Sequence, residues 1–259
     1  MKNYFDLNGR VAIVTGCSGG LGEQMAKALA NQGCNIVPVA RRKEKVEAVA
    51  AELSAKYGVQ TLPITCDVTS TEQIVNVVEK TLEKFGHIDI LINNAGTGAC
   101  APAEKITDDQ LMNEINIDLA GTFKMAREVA SRAMIPAKYG RIINIASMYG
   151  LVGNMVPGAE ASPYHAAKGG VVNLTRALAA EWGKYGITVN SICPGYFETP
   201  LTKSTLETEW FANYAKGAIP MARYGKEGEL DTTAIYLASP ASTFVTGMNI
   251  AVDGGYTCI

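Results

Sequence analysis

Tyr164 and Lys168 stand four residues apart in the stretch Tyr164-His165-Ala166-Ala167-Lys168. The flanks are rich in alanine, and Val171, Val172, Leu174 and Leu178 recur at helical spacing, so the stretch reads as helix. A four-residue step puts the phenol and the ammonium on one face, one turn apart. A free tyrosine ionises near pH ~10 and is a poor base at neutral pH. A cation about 5 Å away, at an effective dielectric of about 20, favours the phenolate by roughly 3 kcal/mol, on the order of two pKa units. Tyr164 thereby becomes a usable proton donor or acceptor. His165 adjoins it, but neighbouring helical residues point about 100° apart, so its ring is expected on another face.

A second constellation is Thr15-Gly16-Cys17-Ser18-Gly19-Gly20-Leu21-Gly22, between the apolar run Val11 to Val14 and an amphipathic run from Glu23 to Gln32. Strand, glycine turn and helix together make the context of a phosphate-binding loop. Gly16 can take a turn conformation closed to other residues, Gly20 lets backbone approach a pyrophosphate, and Gly22 lets helix and strand pack closely. The phosphates would sit on the free N–H groups of the helix start.

These groups need a scaffold. Apolar runs at Asn35 to Ala40, Thr61 to Ile64, Ile88 to Ile92, Arg141 to Ala146 and Thr188 to Ile192 read as further strands. Helical patterns alternate with them, from Lys43 to Lys56, from Thr71 to Phe85, from about Asp108 and from Pro163. The alternation predicts an α/β fold: one Rossmann-type doubly wound parallel sheet of about seven strands, helices on both faces, residues 1–259 as a single domain. Ligands in such sheets bind at the carboxyl ends of the strands. Gly16 to Gly22, Asn93 to Gly96, Ser147 and Pro194-Gly195 all fall at such ends. Asn116 falls in the helix after the fourth strand. Beside Tyr164 the sequence offers no other candidate acid for this crevice.

Composition excludes several other classes. The 259 residues are 47% hydrophobic, enough for a sizeable core, and the net charge of -2 gives no pull toward nucleic acid or anionic membrane. No apolar leader opens the chain and no stretch is long enough to span a bilayer, so a cytoplasmic protein is expected. Six cysteines at 17, 34, 66, 100, 193 and 258 form no Cys-x-x-Cys pair, and histidine occurs only at 87 and 165. Neither a disulfide framework nor a metal site is expected.

Taken together, the motifs resemble the short-chain dehydrogenase/reductase family in its compact form. The resemblance rests on Thr-Gly-x-x-x-Gly-x-Gly at 15 to 22, Asp67, Asn-Asn-Ala-Gly at 93 to 96, Asn116 and Ser147. It continues through Tyr164-x-x-x-Lys168, Pro194-Gly195 with Thr199, and Asp253-Gly254-Gly255. It implies an NAD(P)-dependent enzyme interconverting a secondary alcohol and a ketone. Tyr164 would be general acid/base, Lys168 would lower its pKa and hold ribose hydroxyls, Ser147 would bond the substrate oxygen, and Asn116 would support a proton relay behind Lys168. The cofactor would run along Gly16, Ser18, Gly20, Leu21 and Gly22, past Arg41, Asp67 and Val68, and over Asn94, Ala95 and Gly96. It would end at Tyr164, Lys168, Pro194, Gly195 and Thr199, with Asn93 also near the fourth strand's cofactor region. A nucleotide-binding sensor is the non-enzyme alternative; the set of Asn116, Ser147, Tyr164 and Lys168 favours the enzyme.

Ser147 and Tyr164 lie seventeen positions apart, longer than the family's common spacing. The added length falls in 148–160, expected as a loop beside the substrate. Ala146-Ser147-Met148-Tyr149-Gly150 and Gly169 to Arg176 are similar to gluconate 5-dehydrogenase-like members, which implies a sugar-acid substrate. Hydroxysteroid dehydrogenases acting on steroids or bile acids, and 3-oxoacyl-thioester reductases, are the alternatives. A lid is expected at about 196–220, with exposed aromatics at Tyr196, Phe197, Trp210, Phe211 and Tyr214. Family members pair the helices after strands four and five, which implies a homotetramer or homodimer. NADP(H) is expected over NAD(H): no acid follows the second strand until Glu44, and Arg41 can grip a 2′-phosphate with its planar fork. Cys17 stands where many NADP-preferring relatives carry a second basic residue.

Overall fold

Val11 and Ile13 face one side of β1 (Val11–Thr15), Ala12 and Val14 the other, and each pair sits in a different buried apolar cluster. A strand covered on both faces is what a parallel sheet between two helical layers requires. The structure, a computed structural model, describes residues 3–98, 100–154, 156, 159–199 and 202–259. β1, β2 (Asn35–Ala40), β3 (Ile64–Thr65), β4 (Ile90–Asn93), β5 (Gly140–Ile145), β6 (Ile187–Pro194) and β7 (Asn249–Val252) form one sheet. Its order is β3-β2-β1-β4-β5-β6-β7 and every pairing is parallel. The order reverses beside β1, and the crevice at that switch is where such sheets bind ligands.

The third strand is shorter than the apolar run Thr61 to Ile64 predicts. Thr61 touches Ile36 only as an isolated bridge and the ladder begins at Ile64, because Pro63 has no N–H to donate. α1 (Gly20–Ala30) begins inside the glycine loop rather than at Glu23. α2 (Lys43–Tyr57) and α3 (Thr71–Phe85) follow β2 and β3, each ended by a left-handed glycine, Gly58 and Gly86.

After β4 the chain enters α4 (Asp108–Glu114) through a reciprocal cap between Thr107 and Gln110. The helix then widens to π turns over Ile115–Ala120 before tightening into α5 (Gly121–Val129). A second wide turn at Ala130–Met134 leads to α6 (Ile135–Ala137). α7 (Ser162–Trp182) carries the Tyr164 stretch. α8 (Lys203–Leu206), α9 (Glu209–Ala218) and α10 (Asp231–Ala238) complete the helices. Side chains of α3, α5 and α7 fill the core on one face of the sheet, and those of α1, α2 and α10 fill the other. Among the described residues no helix is long and apolar enough to cross a membrane.

The segment 196–220 departs from the exposed aromatic surface expected of it. Phe197 and Phe211 are buried, and Trp210 alone of the five is exposed. Leu206, Phe211, Ala215 and Ile219 make a small core of their own, against which Tyr196, Tyr214, Tyr224 and Tyr256 pack. In the stretch 148–160, Met148–Gly150 forms a tight turn, and Asn154 donates to the Ala159 carbonyl at 2.8 Å. Met155, Pro157 and Gly158 of that stretch, and Pro200 and Leu201 of 196–220, lie outside the described residues.

Candidate active site

The first turns of α7 bring Tyr164 and Lys168 to one face, with the Lys168 Nζ 5.5 Å from the centre of the Tyr164 ring. Both side chains line a cavity of about 480 Å³ at the carboxyl ends of β4, β5 and β6. Lys168 is buried, which disfavours an ammonium ion. The Nζ donates to the Ile145 carbonyl at 3.0 Å and is ion-paired with Asp118, whose Oδ1 stands 2.9 Å away. Burial, the largest influence, pulls its pKa down; the charge of Asp118 and then Tyr164 outweigh it, and the value lies above that of an ordinary lysine.

Asp118 corrects two sequence expectations. Asn116 is exposed and lines neither site cavity, whereas Asp118 is fully buried and lines this one. The two residues are two positions apart on a helix, roughly half a turn, so a helix that turns Asp118 inward turns Asn116 out. The crevice therefore holds a second acid beside Tyr164. Asp118 Oδ2 accepts from the Thr97 N–H at 3.1 Å, tying the loop after β4 to the helix. Gly96 makes the approach possible: a Cβ there would stand 2.6 Å from Asp118 Oδ1 and 3.3 Å from Lys168 Nζ.

Ser147 lies two residues beyond β5, is buried, and accepts from the Tyr149 N–H at 3.1 Å. It lines the same cavity as Tyr164 and Lys168. Tyr149, in the stretch expected beside the substrate, and Tyr196, in the expected lid, share a hydrogen bond between their hydroxyls at 2.6 Å on the cavity wall. Burial raises both phenols above the ordinary tyrosine range, so they are neutral hydrogen-bonding groups. The His165 ring stacks on Tyr149 at 4.5 Å and its Nδ1 contacts the Ala161 carbonyl at 2.8 Å. It supports the wall, as its place on the helix predicts.

A second cavity, about 880 Å³, lies over the glycine loop and meets the first at Leu21, Asn94, Gly96 and Thr199. Gly16 has φ +66°, and a Cβ on it would stand 2.7 Å from Asn94 Nδ2. Thr15 Oγ1 accepts from the N–H groups of Asn94 and Ala95 at 2.9 and 3.0 Å, locking the first and fourth strand ends together. Ser18, Gly20, Val68 and Ala95 line this cavity as expected, while Gly22 is buried against Gly16 and Asn94. Asp67 lines it too, its carboxylate accepting from Thr69 N and Oγ1 at 2.9 and 2.8 Å, and these bonds hold its pKa below the ordinary range. Pro194 and Gly195 line the smaller cavity. Asn93 does not belong to the nucleotide cavity; it is buried and donates to Asn144 Oδ1 at 3.0 Å.

At the far end of the larger cavity Arg41 is joined by Arg42 and Lys45. Arg42 Nη2 donates to Ser18 Oγ at 2.9 Å. Cys17 is buried in the apolar core, and burial pushes its thiol pKa up. Lys45, on the first turn of α2, was legible only as part of a charged helix. A glycine-rich backbone cradle, followed by three cations at its end, fits a dinucleotide with a phosphorylated ribose.

A family model described as enoyl-(acyl carrier protein) reductase, adh_short_C2, matches residues 16–257. The chain is 38% identical over 256 residues to 2-dehydro-3-deoxy-D-gluconate 5-dehydrogenase of Dickeya dadantii (strain 3937), covering 98% of each. It is 36% identical over 255 residues to gluconate 5-dehydrogenase of Gluconobacter oxydans (strain 621H), covering 98% of this chain and 97% of that one. Among solved structures, gluconate 5-dehydrogenase from Burkholderia cenocepacia J2315, in complex with NADP and tartrate, superposes with a TM-score of 0.93 at 36% identity. The match covers 99% of this chain and 98% of that one.

Proposed function

This chain belongs to the short-chain dehydrogenase/reductase family of oxidoreductases, and from that premise we propose that it interconverts a secondary alcohol and a ketone on a sugar-derived substrate, with NADP(H) preferred. The observation that carries the reading is a junction. Tyr164, Ser147 and Lys168 open onto one cavity, which joins a glycine-lined cavity at Asn94, Gly96 and Thr199.

The bound dinucleotide supplies the hydride acceptor or donor. The chain supplies orientation and proton transfer. The Tyr164 hydroxyl takes the proton from the alcohol, or returns it to the ketone oxygen. Ser147 Oγ donates to the same oxygen and stabilises charge developing there. Lys168, cationic and fixed, stabilises the negative charge that develops on oxygen during the transfer. The backbone of Gly16 to Leu21 would hold the cofactor, with Asp67 and Val68 toward the base and Thr199 where the two cavities meet. Arg41, Arg42 and Lys45 support NADP(H) over NAD(H), since each charge-assisted bond to a phosphate contributes about 1.5–3 kcal/mol.

A sugar acid is the substrate that the relatives support. A second reading, a neutral ketose or polyol, is favoured by one feature of the cavity. Among the described residues that line it, the charged groups are Asp118 and Lys168, already paired with each other. A substrate carboxylate would find hydroxyl donors there, at Tyr149, Tyr196 and Thr205, rather than a free cation. Initial rates with both cofactors on D-gluconate, 2-dehydro-3-deoxy-D-gluconate, L-sorbose and D-fructose separate the readings. Turnover of the acids alone supports the first, turnover of the neutral sugars alone the second, and turnover of none refutes both.

The segment 196–220 is read as closing over substrate, and the molecule as a homotetramer. Exposed Leu111, Met112 and Phe123 on α4 and α5 support the assembly. A cytoplasmic setting is supported by six free thiols, four of them buried.

A further inference from the structure

We propose that the hydrogen-bonded pair of Tyr149 and Tyr196 determines specificity, by binding a substrate hydroxyl on a carbon other than the reacting one. The proposal rests on the reading of a sugar-derived substrate and names the groups that recognise it. The two phenols come from separate elements, the tight turn after β5 and the segment after β6. Their oxygens meet 2.6 Å apart on the wall of the cavity that Ser147 and Tyr164 line. Each ring is held in place by its neighbours. His165 stacks on Tyr149 at 4.5 Å, with the ring planes 18° apart. Phe211, Tyr214 and Tyr256 meet Tyr196 edge-on at 4.9, 6.1 and 5.9 Å. The Tyr149 N–H donates to Ser147 Oγ at 3.1 Å, which ties the pair to the group that meets the reacting oxygen. Hydroxyls fixed in this way lose little freedom when a ligand binds.

The chemistry of the pair selects its ligand. Burial, the largest influence on both phenols, keeps them protonated, so the pair carries no charge. A hydroxyl brings one proton and two lone pairs, and a bond between two hydroxyls uses one of each. The same holds for Tyr214 and Tyr256, whose hydroxyls share a bond at 3.1 Å beside Tyr196. What remains for a ligand therefore holds more lone pairs than protons, and suits a group that donates. A sugar hydroxyl donates and accepts. A carboxylate has lone pairs only, and the lysine among the described lining residues, Lys168, is already paired with Asp118. An acyl chain or a steroid ring would set apolar atoms against the polar groups left over. Hydroxyls on successive carbons of a sugar or sugar acid supply the required donor beyond the reacting carbon.

The test is a cycle that removes hydroxyls from protein and substrate in turn. Tyr149→Phe and Tyr196→Phe each delete one hydroxyl and keep the packed rings. The substrate is the best of D-gluconate, 2-dehydro-3-deoxy-D-gluconate, L-sorbose and D-fructose, set beside its own monodeoxy forms. Each is read by turnover or, where that is slow, as a competitive inhibitor. In the wild type, loss of one hydroxyl away from the reacting carbon is expected to lower kcat/KM by about tenfold or more. In either Phe variant the parent substrate is expected to fall by a similar factor. The gap between it and that deoxy form is expected to shrink below about threefold, with NADPH affinity unchanged. A pair that merely latches the turn to the segment would slow parent and deoxy substrates alike and leave the gap standing. That result overturns the proposal, as does a wild type indifferent to every such hydroxyl. Should one variant fail to fold, the other decides; should both fail, the wild-type deoxy series decides. A wild type that turns over none of the four defeats the sugar reading together with the proposal, whereas a gap that persists in the variants defeats the proposal alone.

Discussion

At the scale of single residues, chemistry was legible where one side chain does the work and illegible where register decides. Tyr164 and Lys168 share one face as their spacing implies, and Ser147 lines the same cavity. Asn116 does not, and the reason is local. The residues Asn116-Ile117-Asp118 lie in π turns, whose wider register a pattern of 3.6 residues cannot follow. A carboxylate with no accessible surface is also a poor guess from sequence, since burying one is costly until a lysine is shown beside it. The cofactor-selecting end had the opposite fate: Arg41 was found, and the structure added Arg42 and Lys45. Arg41→Asp removes one cation and places a charge that repels a 2′-phosphate. The ratio of kcat/KM for NADP over NAD is expected to fall by about tenfold or more. An unmoved ratio would show that Arg42 and Lys45 read the phosphate without it.

At the scale of elements, the buried strands were plain because each carries a short apolar stretch, such as Val11 to Val14 in β1 and Ile90 to Ile92 in β4. β3 was misjudged because its run contains Pro63, and α1 because its first turn is made of glycine-loop residues. The segment 196–220 was harder. Its aromatics have the composition of an exposed lid, yet Phe211 and Leu206 close a core with Ala215 and Ile219 while Tyr196 bonds Tyr149 on the cavity wall. Such an arrangement couples the segment to the site: α8 supplies Leu206 and Thr205 to the same cavity as Tyr164. Ligand that fills the cavity is expected to slow hydrogen exchange in α8 and α9 relative to the cofactor-bound protein. Exchange unchanged in both helices, while a surface helix such as α2 behaves identically, would count against closure.

At the scale of the whole molecule, topology followed from the strand–helix alternation, because parallel strands joined by right-handed crossovers leave few arrangements. Assembly was not legible in the same way, since exposed apolar residues are common on any surface. Leu111, Met112 and Phe123 on α4 and α5, and Phe244, Met248 and Ile259 elsewhere, are exposed apolar side chains available to self-association. Light scattering at micromolar concentration is expected to report a tetramer, and a monomer would refute it. The central claim is that this assembly of strand ends transfers a proton through one phenol. Tyr164→Phe tests it most directly, because it deletes the hydroxyl and keeps nearly all the volume. Turnover and NADPH affinity are measured together on the best substrate of the panel. Turnover is expected to fall by ~10²–10⁴-fold with affinity nearly unchanged, and a variant that keeps more than about a tenth of wild-type turnover would contradict the account.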